Sequence, residues 1–91
     1  MNLSVDSIVT LGLPNVKEVF KNILRNRTAS RYQLEINKDF LQIESTQDLD
    51  DALNKLQSAG LIDKKSAGGP ELDVFYPTEQ GLFVEKNLSK L

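Results

Sequence analysis

Apolar residues recur at helical spacing in the stretch that begins after Asn15. The members of this stripe are Val16, Val19, Phe20, Ile23 and Leu24. Their three- and four-residue spacing places all of them on one side of a helix, which predicts an amphipathic helix with one buried face. Asn15 is positioned to cap the first amides of this helix, and Glu18 can return a hydrogen bond to the cap. The opposite face carries Lys17, Lys21 and Arg25.

A second helical stripe lies between residues 45 and 60. Ser45 or Thr46 offers an N-terminal cap, and Gly60 is the residue type that commonly ends a helix in the left-handed conformation. The apolar members of the stripe are Leu49, Ala52, Leu53 and Leu56. This spacing predicts a helix over residues 46 to 59 with a single buried face.

Residues 31 to 43 fit both a strand period and a helix period. Tyr32, Leu34 and Ile36 alternate as in a strand, whereas Tyr32, Ile36, Phe40 and Ile43 recur as in a helix. We favour a helix after Ser30 because the helical period continues over the longer span. Leu41 and Ile43 are then expected to anchor the turn that follows.

Two short runs of strand-forming residues flank a polar turn near the end of the chain. The runs are residues 61 to 65 and 72 to 76, and the turn contains Gly68-Gly69-Pro70. This arrangement predicts an antiparallel hairpin. Pro77 cannot donate a ladder hydrogen bond and is expected to stop the second strand, and Thr78 can cap a last helix.

The two ends of the chain carry apolar residues of their own. Val5, Ile8, Val9 and Leu11 predict a short helix that begins at Ser4 and ends at Gly12. Together with the last helix they offer more apolar surface than one small core covers, which predicts a homodimer. The alternative is that the two ends pack on each other within one chain. The dimer contacts would be Val5, Ile8, Val9, Leu82, Phe83, Leu88 and Leu91.

The composition limits the kinds of catalytic and metal-binding site that the chain can form. The 91 residues include no cysteine and no histidine, which removes disulfides, thiolate metal sites and the commonest general base. No nucleophile or phosphate-binding spacing is present, so we expect a protein without enzymatic activity, cofactor or metal. The length predicts one domain. The lack of cysteine and of any apolar run near the roughly 20 residues of a membrane span predicts a cytoplasmic protein without membrane contact.

The local residues of the third predicted helix and the hairpin resemble a known family. Leu53, Leu56 and Ala59-Gly60-Leu61-Ile62 resemble the end of the third helix and the first wing strand of winged helix-turn-helix proteins of the MarR and PadR type. Phe75-Tyr76-Pro77-Thr78-Glu79-Gln80-Gly81 resembles their second wing strand and the start of their final helix. Pro77 departs from the aliphatic residue that the family more often has there.

This resemblance covers residues 15 to 91 and implies a fold. The expected class is mostly α with a small antiparallel β hairpin, an α+β winged helix-turn-helix with a three-helix core, a wing and extra terminal helices. Within one domain, residues 1 to 14 would be an N-terminal segment and residues 45 to 60 the recognition helix. Residues 61 to 77 would be the wing and residues 78 to 91 the C-terminal helix.

The resemblance also implies a function, that of a DNA-binding transcriptional regulator. With the apolar stripe of the recognition helix inward, the outward positions are Gln47, Asp51, Asn54 and Ser58, flanked by Asp50 and Lys55. Amide side chains can pair with adenine in the major groove, and an aspartate can accept a hydrogen bond from cytosine. Lys64 and Lys65 on the wing are candidate phosphate contacts. Simple solvation of the helix face and edge protection by the lysines are the structural alternatives.

The net charge of −2 conceals a strong separation of charge along the chain. Six basic and two acidic residues give residues 15 to 38 a charge of +4, and five acidic residues give residues 39 to 51 a charge of −5. The acidic block lies at the start of the recognition helix, where carboxylates repel phosphate but also stabilise the helix dipole.

The charge separation leaves two functions open. A DNA complex would depend on Arg25, Arg27 and Arg31 together with the wing lysines. Alternatively, the domain is a winged-helix protein-interaction module with an acidic recognition-helix face. The residues that would then face a basic partner are Glu44, Asp48, Asp50 and Asp51.

Overall fold

A computed structural model describes residues 9–13, 15–39, 41, 43–66, 68–69 and 72–87. These residues form a small α+β domain in which helices pack against one three-stranded antiparallel sheet. In chain order the elements are α1 (Val16–Asn26), β1 (Ala29–Ser30), α2 (Arg31–Ile36), α3 (Thr46–Ser58), β2 (Ile62–Lys65), β3 (Val74–Pro77) and α4 (Glu79–Asn87). Residues 9 to 11 are also helical.

Helix α1 confirms the first predicted stripe. All five apolar members are buried, and Val19, Phe20 and Ile23 have no exposed surface. The predicted capping role of Asn15 is wrong, because its side chain makes no capping hydrogen bond. Its backbone, at φ −17° and ψ −27°, lacks the extended conformation in which a capping side chain reaches the following amides.

Helix α3 confirms the second stripe and both of its ends. The Ser45 hydroxyl accepts a hydrogen bond from the backbone N–H of Asp48. At the other end Gly60 adopts φ +75°, and Leu61 donates its backbone N–H to the carbonyl of Leu56. This arrangement satisfies the last carbonyls of the helix and turns the chain into β2. Helix α1 packs against α3, so the two stripes share one core.

The segment after Ser30 is helical, as predicted, but its length and its inward face differ from the prediction. Helix α2 ends at Ile36, and its buried residue is Leu34. Tyr32 and Ile36, which the helical period placed inward, are 57% and 62% exposed. A helix of fewer than two turns presents little more than one position to the core. Phe40 lies outside the described residues, whereas Leu41 and Ile43 are buried as expected.

Strand β1 was not predicted, and it explains the orientation of α2. Its two residues pair with β3, Ala29 opposite Phe75 and Ser30 opposite Val74. Ser30 is also the N-cap of α2, where its hydroxyl accepts from the N–H of Gln33 and the Gln33 side chain accepts from the N–H of Ser30. Because one residue belongs to both the sheet and the cap, the sheet sets the direction in which α2 starts.

The predicted hairpin is present as β2 and β3, and the strand order in the sheet is β1-β3-β2. Pro77 is the last residue of β3, in agreement with the prediction. The connection between α2 and α3 covers the nine residues 37 to 45. It is longer than the three or four residues of a common helix-turn-helix turn.

Helix α4 begins as predicted, because the Thr78 hydroxyl accepts a hydrogen bond from the N–H of Gly81. The side chain that α4 contributes to the core is Val84, which has no exposed surface. Leu82 is 37% exposed and Phe83 is partly buried. Two of the apolar residues predicted for this helix, Leu88 and Leu91, lie outside the described residues.

Only part of the predicted N-terminal helix can be described. Residues 9 to 11 are helical, and the N–H of Gly12 donates to the carbonyl of Val9 at the end of this turn. Leu11 is buried, whereas Val9 is 60% exposed. Val5 and Ile8 lie outside the described residues. None of the helices in the described part of the chain has the length and apolar character needed to cross a membrane.

Candidate interaction surface

A cleft of about 550 Å³ opens between α3 and the sheet. Its α3 side presents Gln47, Asn54 and Gln57, and its sheet side presents Lys64 and Asp73. The buried side chains of Leu53 and Phe75 form an apolar floor. The cleft therefore combines the two elements to which the resemblance assigned recognition.

One end of the cleft is closed by an arginine held between two carboxylates. The guanidinium of Arg31 donates to Asp50 at 2.8 Å and to Glu35 at 2.9 Å, and its side chain is only 12% exposed. The hydrogen bond to Asp50 raises the pKa of Arg31 above its ordinary value; burial lowers that pKa by a smaller amount, and the hydrogen bond to Glu35 raises it further. The backbone N–H of Arg31 donates to the carbonyl of Asp73 at 2.8 Å. Arg31 thus ties α2 to both α3 and the sheet.

The two lysines of β2, Lys64 and Lys65, differ in their surroundings. The ammonium group of Lys64 lies 3.8 Å from a carboxylate oxygen of Asp73, beyond hydrogen-bond distance. Lys65 is exposed, and among the described residues its side chain has no ion-pair partner. Both lysines remain reachable from outside, and Lys64 points along the wall of the cleft.

All of the α3 residues predicted to face outward are exposed, including Gln47, Asp51, Asn54 and Ser58. The Gln47 amide donates to Asp51 at 2.9 Å, so these two side chains are paired on the helix surface. Lys55 is exposed as well. The described residues do not cover this face.

Helix α3 forms a ridge between the cleft and two smaller hollows. One hollow, of about 320 Å³, lies between Val9 and Thr10 and the residues Asn54, Lys55 and Ser58. The other, of about 150 Å³, borders Asp51 and Lys55 on the side of Leu13, Asn15 and Val16. Gln47 therefore lines the cleft and Asn54 lines both the cleft and the first hollow, whereas Asp51, Lys55 and Ser58 lie on or behind the ridge.

Two of the predicted arginines lie elsewhere. Arg27 forms an ion pair with Glu85 of α4 at 3.0 Å. Arg25 lines a hollow with Lys21, Leu24 and the same Glu85. Both residues are exposed, but they belong to the side of the molecule where α1 meets α4. The structure does not bring them to the cleft.

No protein-family model matches the chain, and no curated protein matches it. Across the described ranges, no three or more histidine, cysteine, aspartate or glutamate side chains lie close enough together to hold a metal ion.

Several cleft residues escaped the sequence analysis. Gln57 had a usable signal, because it follows Gln47, Asp50 and Asn54 at helical spacing on one flank of α3. Glu35 and Asp73 had none. Helix α2 brings Glu35 to the cleft, and the pairing of β1 with β3 brings Asp73 there. No pattern of neighbouring residues in the sequence predicts either contact.

Proposed function

We propose that this protein is a winged-helix domain that binds a basic segment of a protein partner through α3 and the wing. The arrangement of α1, α2 and α3 followed by the hairpin supports the winged-helix assignment that the MarR- and PadR-like residues implied. The exposed outer face of α3 supports a binding role. The absence of cysteine supports a cytoplasmic setting.

The positions of three arginines favour a basic protein segment over DNA as the partner. A DNA complex would depend on Arg25, Arg27 and Arg31, together with Lys64 and Lys65, for phosphate contacts. The guanidinium of Arg31 is already bound by two carboxylates, and the other two arginines lie beside α4. Without these three arginines, carboxylates outnumber cations on α3.

The acidic groups of this surface remain accessible. Helix α3 contains three aspartates and one lysine, and Glu44 just before it is exposed. Asp51 is exposed, whereas Asp48 and Asp50 are partly buried. Phosphate would be repelled by these carboxylates, and a lysine- or arginine-rich segment would be attracted to them.

A titration with a basic peptide tests this proposal. The double variant Glu44→Gln with Asp51→Asn is expected to weaken binding of a capped lysine- and arginine-rich peptide about fivefold, because it removes two exposed attractive charges. Glu79→Gln is the matched control, since it removes an exposed carboxylate from α4 instead. Fluorescence anisotropy at low and high salt measures the affinity, which should fall as salt increases. Equal affinity for the double variant and wild type would contradict the proposal.

DNA binding is the second candidate function, and one observation favours it. Gln47 and Asn54 are exposed on the cleft side of α3 with Lys64 on the opposite wall, as base reading supported by the wing requires. If this function is correct, duplex affinity falls steeply with salt and the variant Lys64→Glu with Lys65→Glu lowers the salt slope by about 2. A gel-shift titration measures both. No duplex retention at low salt would eliminate this candidate.

We also propose a homodimer that uses the exposed apolar residues near the two ends. Val9 and Leu82 are the exposed members within the described residues. Leu82→Glu is expected to convert a dimer to a monomer at micromolar concentration, because it places a charge in an apolar contact. Sedimentation velocity measures the change, with Gln80→Glu on the same helix as the control. A wild-type chain that sediments as a monomer at every concentration would disprove the dimer.

A further inference from the structure

We infer that the cleft between α3 and the sheet receives an arginine side chain of the partner, an inference that rests on the proposed basic partner segment. The cleft has a volume of about 550 Å³. It lies beside the exposed acidic residues of α3 that would attract such a segment. The hydrogen-bonding capacity of the cleft, its charge and the shape of its floor all fit an arginine side chain.

Three polar side chains of the cleft already donate to internal acceptors. The Thr46 hydroxyl donates to Glu35, the Gln47 amide to Asp51, and the Gln57 amide to the carbonyl of Leu53. Each acceptor is an oxygen, so the amide nitrogens must be the groups turned toward them. The amide oxygens of Gln47 and Gln57 are left for an outside donor.

The carboxylates of the cleft also retain accepting capacity. Asp50 uses one oxygen for Arg31, and Asp73 has only the long 3.8 Å contact with Lys64. The lining of the cleft holds three carboxylates, those of Glu35, Asp50 and Asp73, and two cations, Arg31 and Lys64. The lining therefore has a net negative charge and a surplus of acceptors, which matches a cationic ligand rich in donors.

The floor of the cleft fits the rest of an arginine. Leu53 and Phe75 supply apolar surface below the polar walls, and the methylene stem of a basic side chain covers such surface while its charged end meets polar groups. The acceptors stand on two walls, from α3 and from the sheet. A planar guanidinium with five N–H donors can reach both walls at once, whereas an ammonium is a compact point charge. The cleft therefore selects arginine over lysine.

Three capped peptides of one glycine- and serine-rich sequence test this assignment. They carry arginine, lysine or citrulline at the same positions, and citrulline keeps the shape of arginine without its charge. The arginine peptide is expected to bind most tightly. Asp73→Asn should weaken that binding about tenfold, because it removes a charge-assisted hydrogen bond, and should leave the citrulline peptide unaffected. Asp63→Asn is the matched control, since Asp63 precedes Lys64 in β2 and projects from the other face of the sheet.

Nuclear magnetic resonance shift mapping on the intact chain separates this inference from the proposed function. The side-chain amide signals of Asn54 and Gln57 are expected to move when the arginine peptide is added. If the peptide binds but moves only residues near Glu44 and Asp51, the inference is overturned and the proposed function stands. Equal affinity for the lysine peptide overturns the choice of arginine. If no peptide binds, both proposals fail. The comparison of the three peptides uses the wild-type protein, so it remains valid even if a variant fails to fold.

Discussion

Gly81→Ala is expected to destabilise the domain by about 3 kcal/mol or more, the largest loss we predict for a single methyl group. A Cβ at this position of α4 would fall on the backbone carbonyl oxygen of Leu61 and within 3.2 Å of its carbonyl carbon. Backbone cannot move aside as a flexible side chain can. The same carbonyl oxygen accepts the N–H of Thr78, so displacing it would also disturb the cap of α4.

This test is decisive because the expected change in the free energy of unfolding has the opposite sign to the usual effect of alanine in a helix. An alanine in place of glycine inside a helix ordinarily stabilises it by about 1 kcal/mol, so only the close approach of α4 to Leu61 explains a loss. Chemical unfolding followed by circular dichroism measures the free energy. Gly69→Ala is the control, because nothing lies within 4 Å of its Cβ position, and we expect a change within about 0.5 kcal/mol. A Gly81→Ala protein as stable as wild type would contradict the packing described for α4.

Arg31→Met is expected to cost about 2 kcal/mol of unfolding free energy and to loosen α2 from α3. Methionine retains most of the packing of the stem but leaves Asp50 and Glu35 facing each other without a cation. Both carboxylates are nearly half exposed, so water compensates part of the loss and the cost stays below that of a fully buried pair. The raised pKa of Arg31 keeps the guanidinium charged at every pH at which the domain is studied.

A double-mutant cycle isolates the interaction energy between Arg31 and Asp50. Asp50→Asn alone and combined with Arg31→Met should reveal a coupling of about 1 kcal/mol between the two side chains, measured by urea unfolding. Arg27→Met is the matched control, because its ion pair with Glu85 is exposed and is expected to contribute no more than about 0.5 kcal/mol. Equal losses for the two arginine variants would show that Arg31 does not clamp α2 to α3.

Helix α3 shows how much of the candidate site could be predicted from the sequence. The outward positions of α3 followed from the burial of Leu49 and Leu53, since the residues opposite a buried helical stripe face solvent. The same reasoning counted Arg31 as a free cation. Nothing in its neighbourhood along the chain indicates that Asp50, nineteen residues later, binds it. The sequence therefore overstated the positive charge that is available to a partner.

Local patterns determined the amphipathic helices around Phe20 and Leu53, a cap at Ser45 or Thr46, the ends at Gly60 and Pro77, and the hairpin. Each depends on residues within a few positions of one another, so the sequence alone carries it. The tertiary structure decided the pairing of β1 with β3, the inward face of α2, the partners of Arg31 and the distance of Arg25 and Arg27 from the cleft. Those features depend on contacts between residues far apart in the chain, and which of many equally compatible contacts form is settled only when the whole core packs together.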